Sequence, residues 1–364
     1  MIYPWFKPDT AKNNEIIEIK KMISQKNLTM GNKVNELEKR LQKILKVKNI
    51  ILTTSGTSAL FLASVAANIN NKKKTYLSNL NWVATANPPK FLGSKLTLVD
   101  TSYKSDLVDF TKLNELIKLK NPDVVFITHL NGEPAFDKNF LKLKKKKKFI
   151  VIEDCAQAFM VKANKKNYCG TIFDIGCFSL SITKLTNMIY GGFCSTNDNK
   201  LAKKIRTIRN NGVSSAPENA WLQTSTEVGL NLKPSNLHAM FGLQNLKRLK
   251  KNISKVKKIH QHYSINLKNK NFKFLKKNTE KVIPIYNYLE VKNRKKFINF
   301  CKKNKIGIHL GIRCLHQNKP FKQNSRSFPN SSFFSNNMVR IPSGPGYQLN
   351  QIKQICNLLN QFND

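Results

Sequence analysis

FIVIEDCAQAF, residues 149–159, decides how this 364-residue chain folds. It opens as an apolar, β-branched run of strand length and then ends on two carboxylates, Glu153 and Asp154. A strand buried on both faces reads as continuous apolar sequence, the pattern of a parallel sheet covered by helices on either side. Ligands of such sheets bind beyond the carboxyl ends of the strands, so an acid at that end lies where chemistry is done. Without a cationic partner a carboxylate there is costly. Two readings stay open at this point. Asp154 caps the helix that begins at Ala156, or it faces a positively charged group of a ligand.

Four runs of the same kind precede it: NIILT (49–53), KTYLS (74–78), KLTLVD (95–100) and DVVFITHL (123–130), with helix-like stretches between several of them. That order predicts an α/β fold around a mostly parallel sheet. Beyond about residue 245 the pattern changes. Residues 247–269, KRLKKNISKVKKIHQHYSINLKN, read as one long charged amphipathic helix, and a smaller mixed segment follows. The expected division is a large α/β domain over residues 1–245, with its N-terminal segment packing on the small domain, and a small C-terminal α+β domain over 246–364.

The formal charge is +42, from 63 Lys+Arg against 21 Asp+Glu. Nucleic acid is the partner such a charge first suggests, but the lysines are spread along the chain among Asn and Ile, as an AT-rich coding sequence would impose. No helix-turn-helix, zinc-finger or RNP-like pattern accompanies them, so no nucleic-acid partner is expected. Anionic small molecules would still be attracted. The run at Lys142 to Lys148 reads as a solvated helix end. No apolar run reaches the roughly 18 residues of a membrane span, and MIYPWFKPDT lacks the order of a signal peptide. The expectation is a cytoplasmic protein without a membrane partner. Its seven cysteines form no CxxC pair, which argues for reduced apolar side chains and against a disulfide framework or a metal site.

Three other stretches complete a constellation. TTSGTSALFLASVAAN (53–68) follows the first strand with a Ser-Gly-Thr-Ser turn that opens a helix, a place where free N–H groups and hydroxyls hold phosphate. Simple N-capping by Ser or Thr is as common a reading. SNLNWVATANPPKFLG (78–93) brings Trp82, either core or a flat surface for an aromatic ligand. FSLSITKLTNMIYGG (178–192) holds Lys184, a lysine standing alone among apolar residues in a chain most of whose lysines come in crowds. Either its head reaches water, or it is held dry as a nucleophilic amine. Pyridoxal phosphate needs a lysine for its aldehyde, an acid for its pyridinium nitrogen, a phosphate cradle and a flat surface against its ring. Lys184, Asp154, residues 55–58 and Trp82 supply the four in turn.

With those residues in place, the chain resembles the DegT/DnrJ group of nucleotide-sugar aminotransferases, fold-type I pyridoxal-phosphate enzymes. The likeness runs nearly end to end through TMGNKVNELEKRL, TTSGTSAL, NWVATANP, THLNGEPA, VIEDCAQAF, FDIGCFSLSITKLTNMIYGGF, IRNNG, VGLNLKPSNLHAMFGLQNL, CLHQNKPF and RIPSGP. It implies a seven-stranded, mainly parallel sheet with a smaller C-terminal domain. It further implies that Lys184 binds the cofactor and then serves as the proton-transferring base, and that Asp154 holds the pyridinium. Gln157 would contact the ring's phenolic oxygen, Trp82 would stack on the ring, and Gly56, Thr57 and Ser179 would bind the phosphate. Asn231 would reach the phosphate of a neighbouring subunit, which implies a homodimer with shared sites. The implied reaction moves an amino group from an amino acid, with L-glutamate the expected donor, to a keto-sugar linked to a nucleoside diphosphate. Such amino sugars enter surface polysaccharide, lipopolysaccharide or related products.

The chain departs from the group's pattern at several points. Tyr190 stands where Glu precedes the two glycines, Leu232 and Lys233 replace Tyr-Arg after Asn231, Asn211 replaces His, and Met160-Val161 replaces Gly-Ala. These changes touch substrate and subunit contacts more than cofactor chemistry. They leave two alternatives: a cofactor-binding relative without turnover, and a sugar dehydratase, although dehydratases of the group carry His where this chain has Lys184. His316 is the favoured substrate contact, with His129, His309 and Arg313 as further candidates for the cleft wall.

Overall fold

The computed structural model describes residues 2–9, 13–213 and 224–363. Its main sheet has seven strands in the order β1-β7-β6-β5-β4-β2-β3. They are β1 (Asn49–Thr53), β2 (Lys74–Ser78), β3 (Lys95–Val99), β4 (Val124–Thr128), β5 (Ile150–Asp154), β6 (Ile175–Ser179) and β7 (Gly192–Thr196). Strand β7 is antiparallel to both β1 and β6, and every other pairing is parallel. Six strands therefore end on one edge. The five runs read from the sequence are β1 to β5.

Alternation along β5 assigns its two faces. Ile152 packs with β1, β6 and helices α3 (Gly56–Ala66) and α7 (Asn199–Arg209), whereas Val151 packs with α5 (Phe110–Lys120) and α6 (Lys138–Lys146). Glu153 and Asp154 inherit that alternation and part to opposite faces. The start of α3 is fixed from below by Glu38 of α2 (Asn32–Leu45), whose carboxylate accepts from Leu52 N at 2.8 Å and pairs with Arg206 and Arg209. An ion cluster this buried gives little net stability but sets one register, because removing either partner strands a charge.

A second, antiparallel sheet has the order β10-β9-β8, from β8 (Phe272–Phe274), β9 (Asn287–Val291) and β10 (Met338–Ile341). It shares a core with α9 (Leu249–Asn266), α10 (Arg294–Lys303) and α12 (Leu349–Leu359), built from Ile259, Tyr263, Phe297, Val339, Ile352 and their neighbours. The N-terminal segment runs along it, Tyr3 bridging to Ile306 and Phe6 to Ser343. The long helix expected from residue 247 begins two residues later. Arg248 ends α8 (Asn236–Lys247) and turns the chain, its guanidinium held by Asp9 at 3.0 Å and Glu15 at 2.8 Å.

The lysine run is more than a solvated helix end. Lys144 pairs with Asp174 at 2.8 Å, and Lys147 donates to Ile117 O and Lys118 O at the carboxyl end of α5, where cations are favoured. All seven cysteines are buried and unpaired. Among the described residues no helix is long and apolar enough to cross a membrane.

Candidate active site

A cleft of about 390 Å³ opens along the carboxyl edge of the main sheet. Gly56, Thr57, Trp82, Asp154, Gln157, Ser179 and Lys184 all line it. They come from strand ends, or from turns that directly follow them.

At the start of α3, Ser55 is the N-cap, its Oγ accepting from Ser58 N at 3.0 Å. The plain capping reading thus holds for Ser55. The N–H groups of Gly56 and Thr57 keep no protein acceptor among the described residues, as the first turn of a helix dictates. A Cβ on Gly56 would lie 2.8 Å from Ser179 Cβ, so only glycine lets this turn press against the end of β6. Free N–H donors, the helix dipole and the Thr57 and Ser179 hydroxyls make a place for a phosphate-sized anion.

Asp154 is buried at the end of β5. Its Oδ1 accepts from Ala156 N at 3.0 Å and its Oδ2 lies 2.5 Å from Thr85 Oγ1. The first contact is the local cap anticipated from sequence, and the second uses α4 (Val83–Phe91), which no local signal announced. No cationic side chain among the described residues forms an ion pair with it. Gln157 accepts from Asn131 N at 2.8 Å through Oε1, which leaves its amide N–H groups for the cleft. Trp82, 56 % exposed, stands at the mouth with Tyr190, 69 % exposed.

Glu153 does different work on the other face. Its oxygens accept from the N–H groups of Gly170, Ile172 and Phe173 and from His129 Nε2. Ala135 N donates to His129 Nδ1, so the ring is the neutral Nε2–H tautomer. His129, Glu153 and Cys155 lie close enough to hold a metal ion together. The hydrogen bonds of Glu153 and His129 already engage those donors, and burial pushes the Cys155 thiol well up.

Lys184 occupies the loop between β6 and β7, half-buried, its Nζ 3.5 Å from Tyr286 Oη and 5.9 Å from the centre of that ring. Tyr286 in turn donates to Thr183 O at 3.2 Å. Over the same ring lies the guanidinium of Arg340, at 4.3 Å. Burial alone would raise the Tyr286 phenol, but the Lys184 and Arg340 cations outweigh it and hold its pKa below the usual value. Trp5 and His309, their rings tilted against each other with centres 5.0 Å apart, complete this roof. Sequence reasoning missed Trp5, Thr85, Tyr286 and Arg340 as lining residues, although Thr85 lies within NWVATANP and Arg340 opens RIPSGP.

Two expected residues lie away from the lining. His316 is 4 % exposed, hydrogen-bonded through Nδ1 to Asn79 and stacked on Phe328, so its ring belongs to the packing behind the wall. Asn231 is exposed on the surface, bridged to Asn210. Of the further candidates, His129 and His309 line the cleft, and Arg313 is exposed elsewhere.

The fold and cleft define an α/β protein built like pyridoxal-phosphate enzymes, and the donor set fits that group: a buried acid without a cation, free helix N–H groups and a lysine facing them. The chain belongs to the DegT/DnrJ/EryC1/StrS aminotransferase family, whose model matches residues 9–360. It is 29 % identical over 226 residues to a GDP-perosamine synthase of Caulobacter vibrioides, a stretch covering 62 % of this chain and 59 % of that relative. An aminotransferase of the same family from Brucella abortus has the same fold, with a TM-score of 0.86 at 21 % identity over 95 % of this chain and 94 % of the other. So does the GDP-4-keto-6-deoxy-D-mannose-3-dehydratase of Escherichia coli, solved with hydrated pyridoxal phosphate, with a TM-score of 0.86 at 18 % identity over 98 % and 99 %.

Proposed function

We propose that this protein is a pyridoxal-phosphate-dependent aminotransferase that moves an amino group from an amino acid, L-glutamate in our reading, to a nucleotide-linked keto-sugar. The observation that supports it most is the meeting of Lys184, Asp154 and the open start of α3 in one cleft. When bound, pyridoxal phosphate supplies an aldehyde for covalent capture of amines and an electron-poor ring that accepts charge. Gly56, Thr57 and Ser179 would hold the phosphate, Asp154 would keep the ring nitrogen protonated, and Thr85 orients that carboxylate. Gln157 donates to the phenolic oxygen and Trp82 covers the ring. Lys184 Nζ is the amine that would hold the cofactor's aldehyde, and as a free amine it would be the base for the proton on the donor's Cα. In the second half of the reaction it works in reverse on the sugar carbon that receives nitrogen.

The active unit in this reading is a homodimer. Trp82, Tyr190 and Asn231, all exposed here, are the residues a second copy would cover. A dehydratase is the second reading, favoured by the shared fold with the Escherichia coli enzyme. Lys184 speaks against it, because the dehydratases of the group that the sequence resembles carry His at this position. The test is purification with added pyridoxal phosphate, followed by L-glutamate and then a panel of keto-sugar nucleotides. A yellow protein that bleaches with glutamate and recovers its colour with one keto-sugar supports transamination. A yellow protein unchanged by every amino acid removes it, and a deoxygenated product without nitrogen establishes the dehydratase.

A further inference from the structure

Arg340 has no part in the steps above, and no acidic side chain among the described residues pairs with it. It lies on β10, 6 % exposed, yet lines the cleft. Its Nε donates to Tyr288 Oη at 2.6 Å, and its plane rests over Tyr286 at 4.3 Å and Tyr288 at 5.2 Å. A guanidinium offers five N–H donors in a rigid fork. Among the described residues only the Nε donor finds an acceptor, Nη2 is buried without a partner, and no carboxylate pairs with the charge. Aromatic faces offset part of the cost of burying such a cation, while a planar anion would offset much more.

The surroundings narrow the anion. His309 pairs with Arg340 through two backbone hydrogen bonds, and burial together with the Arg340 charge holds its pKa below the usual value. It stays neutral near pH 7 and leaves Arg340 as the roof's cation. Lys184 and Arg340 flank one ring, so an anion on the fork and an atom reacting at Lys184 fit within one small molecule. The phosphate place at the start of α3 is formed by other residues.

We propose that Arg340 binds a carboxylate of the substrate that reacts at Lys184. The inference rests on the transaminase reading and deepens it by giving that substrate an acid group. The carboxylate belongs either to the amino donor or to an acidic sugar acceptor, and the two sources separate by experiment.

The experiment uses the pyridoxal-phosphate-loaded wild type with Arg340→Met and Arg340→Lys. Colour and thermal midpoint report cofactor and fold, calorimetry reports 2-oxoglutarate binding, and bleaching reports the glutamate half-reaction. Arg340→Met should stay yellow and bind 2-oxoglutarate roughly 30-fold or more weakly, as expected when one member of a buried charge pair is removed. Arg340→Lys should recover part of that affinity, since it keeps the charge and loses the fork. Loss with 2-oxoglutarate and glutamate assigns the donor's acid. Loss confined to a uronic-acid sugar nucleotide, with glutamate unaffected, assigns the acceptor's. A folded, yellow Arg340→Met with wild-type affinity for every carboxylate overturns the proposal, and so does a loss that follows only the diphosphate of neutral sugar nucleotides. Should Arg340→Met fail to fold, wild-type carboxylate affinities in Arg340→Lys overturn it. A wild type that takes up no cofactor refutes the transaminase reading alone, because 2-oxoglutarate binding to the cofactor-free protein still tests Arg340.

Discussion

The floor and the roof of the cleft are assembled in opposite ways. Gly56, Thr57, Asp154, Ser179 and Lys184 of the floor sit at strand ends or in the turns and loop just beyond them, so chain direction alone brings them together. Trp5, Tyr286, His309 and Arg340 of the roof are far apart in sequence and meet through the pairing of β9 with β10, the His309–Arg340 bridge and the N-terminal segment laid beside them. In the proposed reaction the floor would hold the groups for bond making and breaking, and the roof those for recognition. One architecture fixes chemistry through topology, and the other leaves specificity to side chains that can change singly.

The comparison breaks most sharply at Lys184. Lys184→Ala should lower turnover by at least about a thousandfold, as loss of a nucleophile does. After borohydride reduction, mass spectrometry should find no cofactor on the peptide spanning it. Substantial turnover in that variant would take the floor's central residue out of the reaction. Asp154→Asn comes next, with cofactor retained and the glutamate half-reaction slowed by about a hundredfold or more, the scale of a lost electrostatic partner. A wild-type stopped-flow rate there would end its role toward the ring nitrogen.

The roof's support is expected to respond to pH through His260 of α9. Lys277 N donates to its Nε2 at 2.9 Å, its Nδ1 lies 2.8 Å from Asn287 Oδ1, and burial lowers its pKa from 6.5 to about 4. Between those values the unfolded chain binds a proton that the folded protein refuses. Stability from this group is complete above pH 6.5 and declines as the pH falls toward 4, by roughly 3 kcal/mol in all. Urea unfolding at the two ends of that window should show the decline, and His260→Gln should flatten it. An identical slope in the variant would assign the acid sensitivity elsewhere. The smallest effect is at Met160, held at φ 66° where glycine is usual. Met160→Gly should raise stability by up to about 1 kcal/mol, because strain relief outweighs the added freedom of the unfolded chain. A drop in melting temperature would mean that its side-chain packing matters more.

Legibility followed the same divide. Asp154 was readable because a carboxylate closing an apolar strand has few explanations, and Lys184 because it stood apart from the lysine crowds. His316 misled, since a histidine in a recognisable block gives no sign of which way its ring turns. Here it turns toward Asn79 and Phe328. Thr85 lies in a recognisable block that gives no sign of its contact with Asp154, and Tyr286 lies just before β9 in a stretch that no motif marks.

By itself, the sequence determined the sheet, its direction and the residues gathered along its edge, because periodicity and strand termini are local properties of the chain. Only the tertiary structure decided that Glu153 is tied to a backbone loop while Asp154 faces the cleft, and that Arg340 is left without an anion. Those outcomes depend on which groups arrive from far along the chain to satisfy a buried charge, and no stretch of neighbouring residues encodes that.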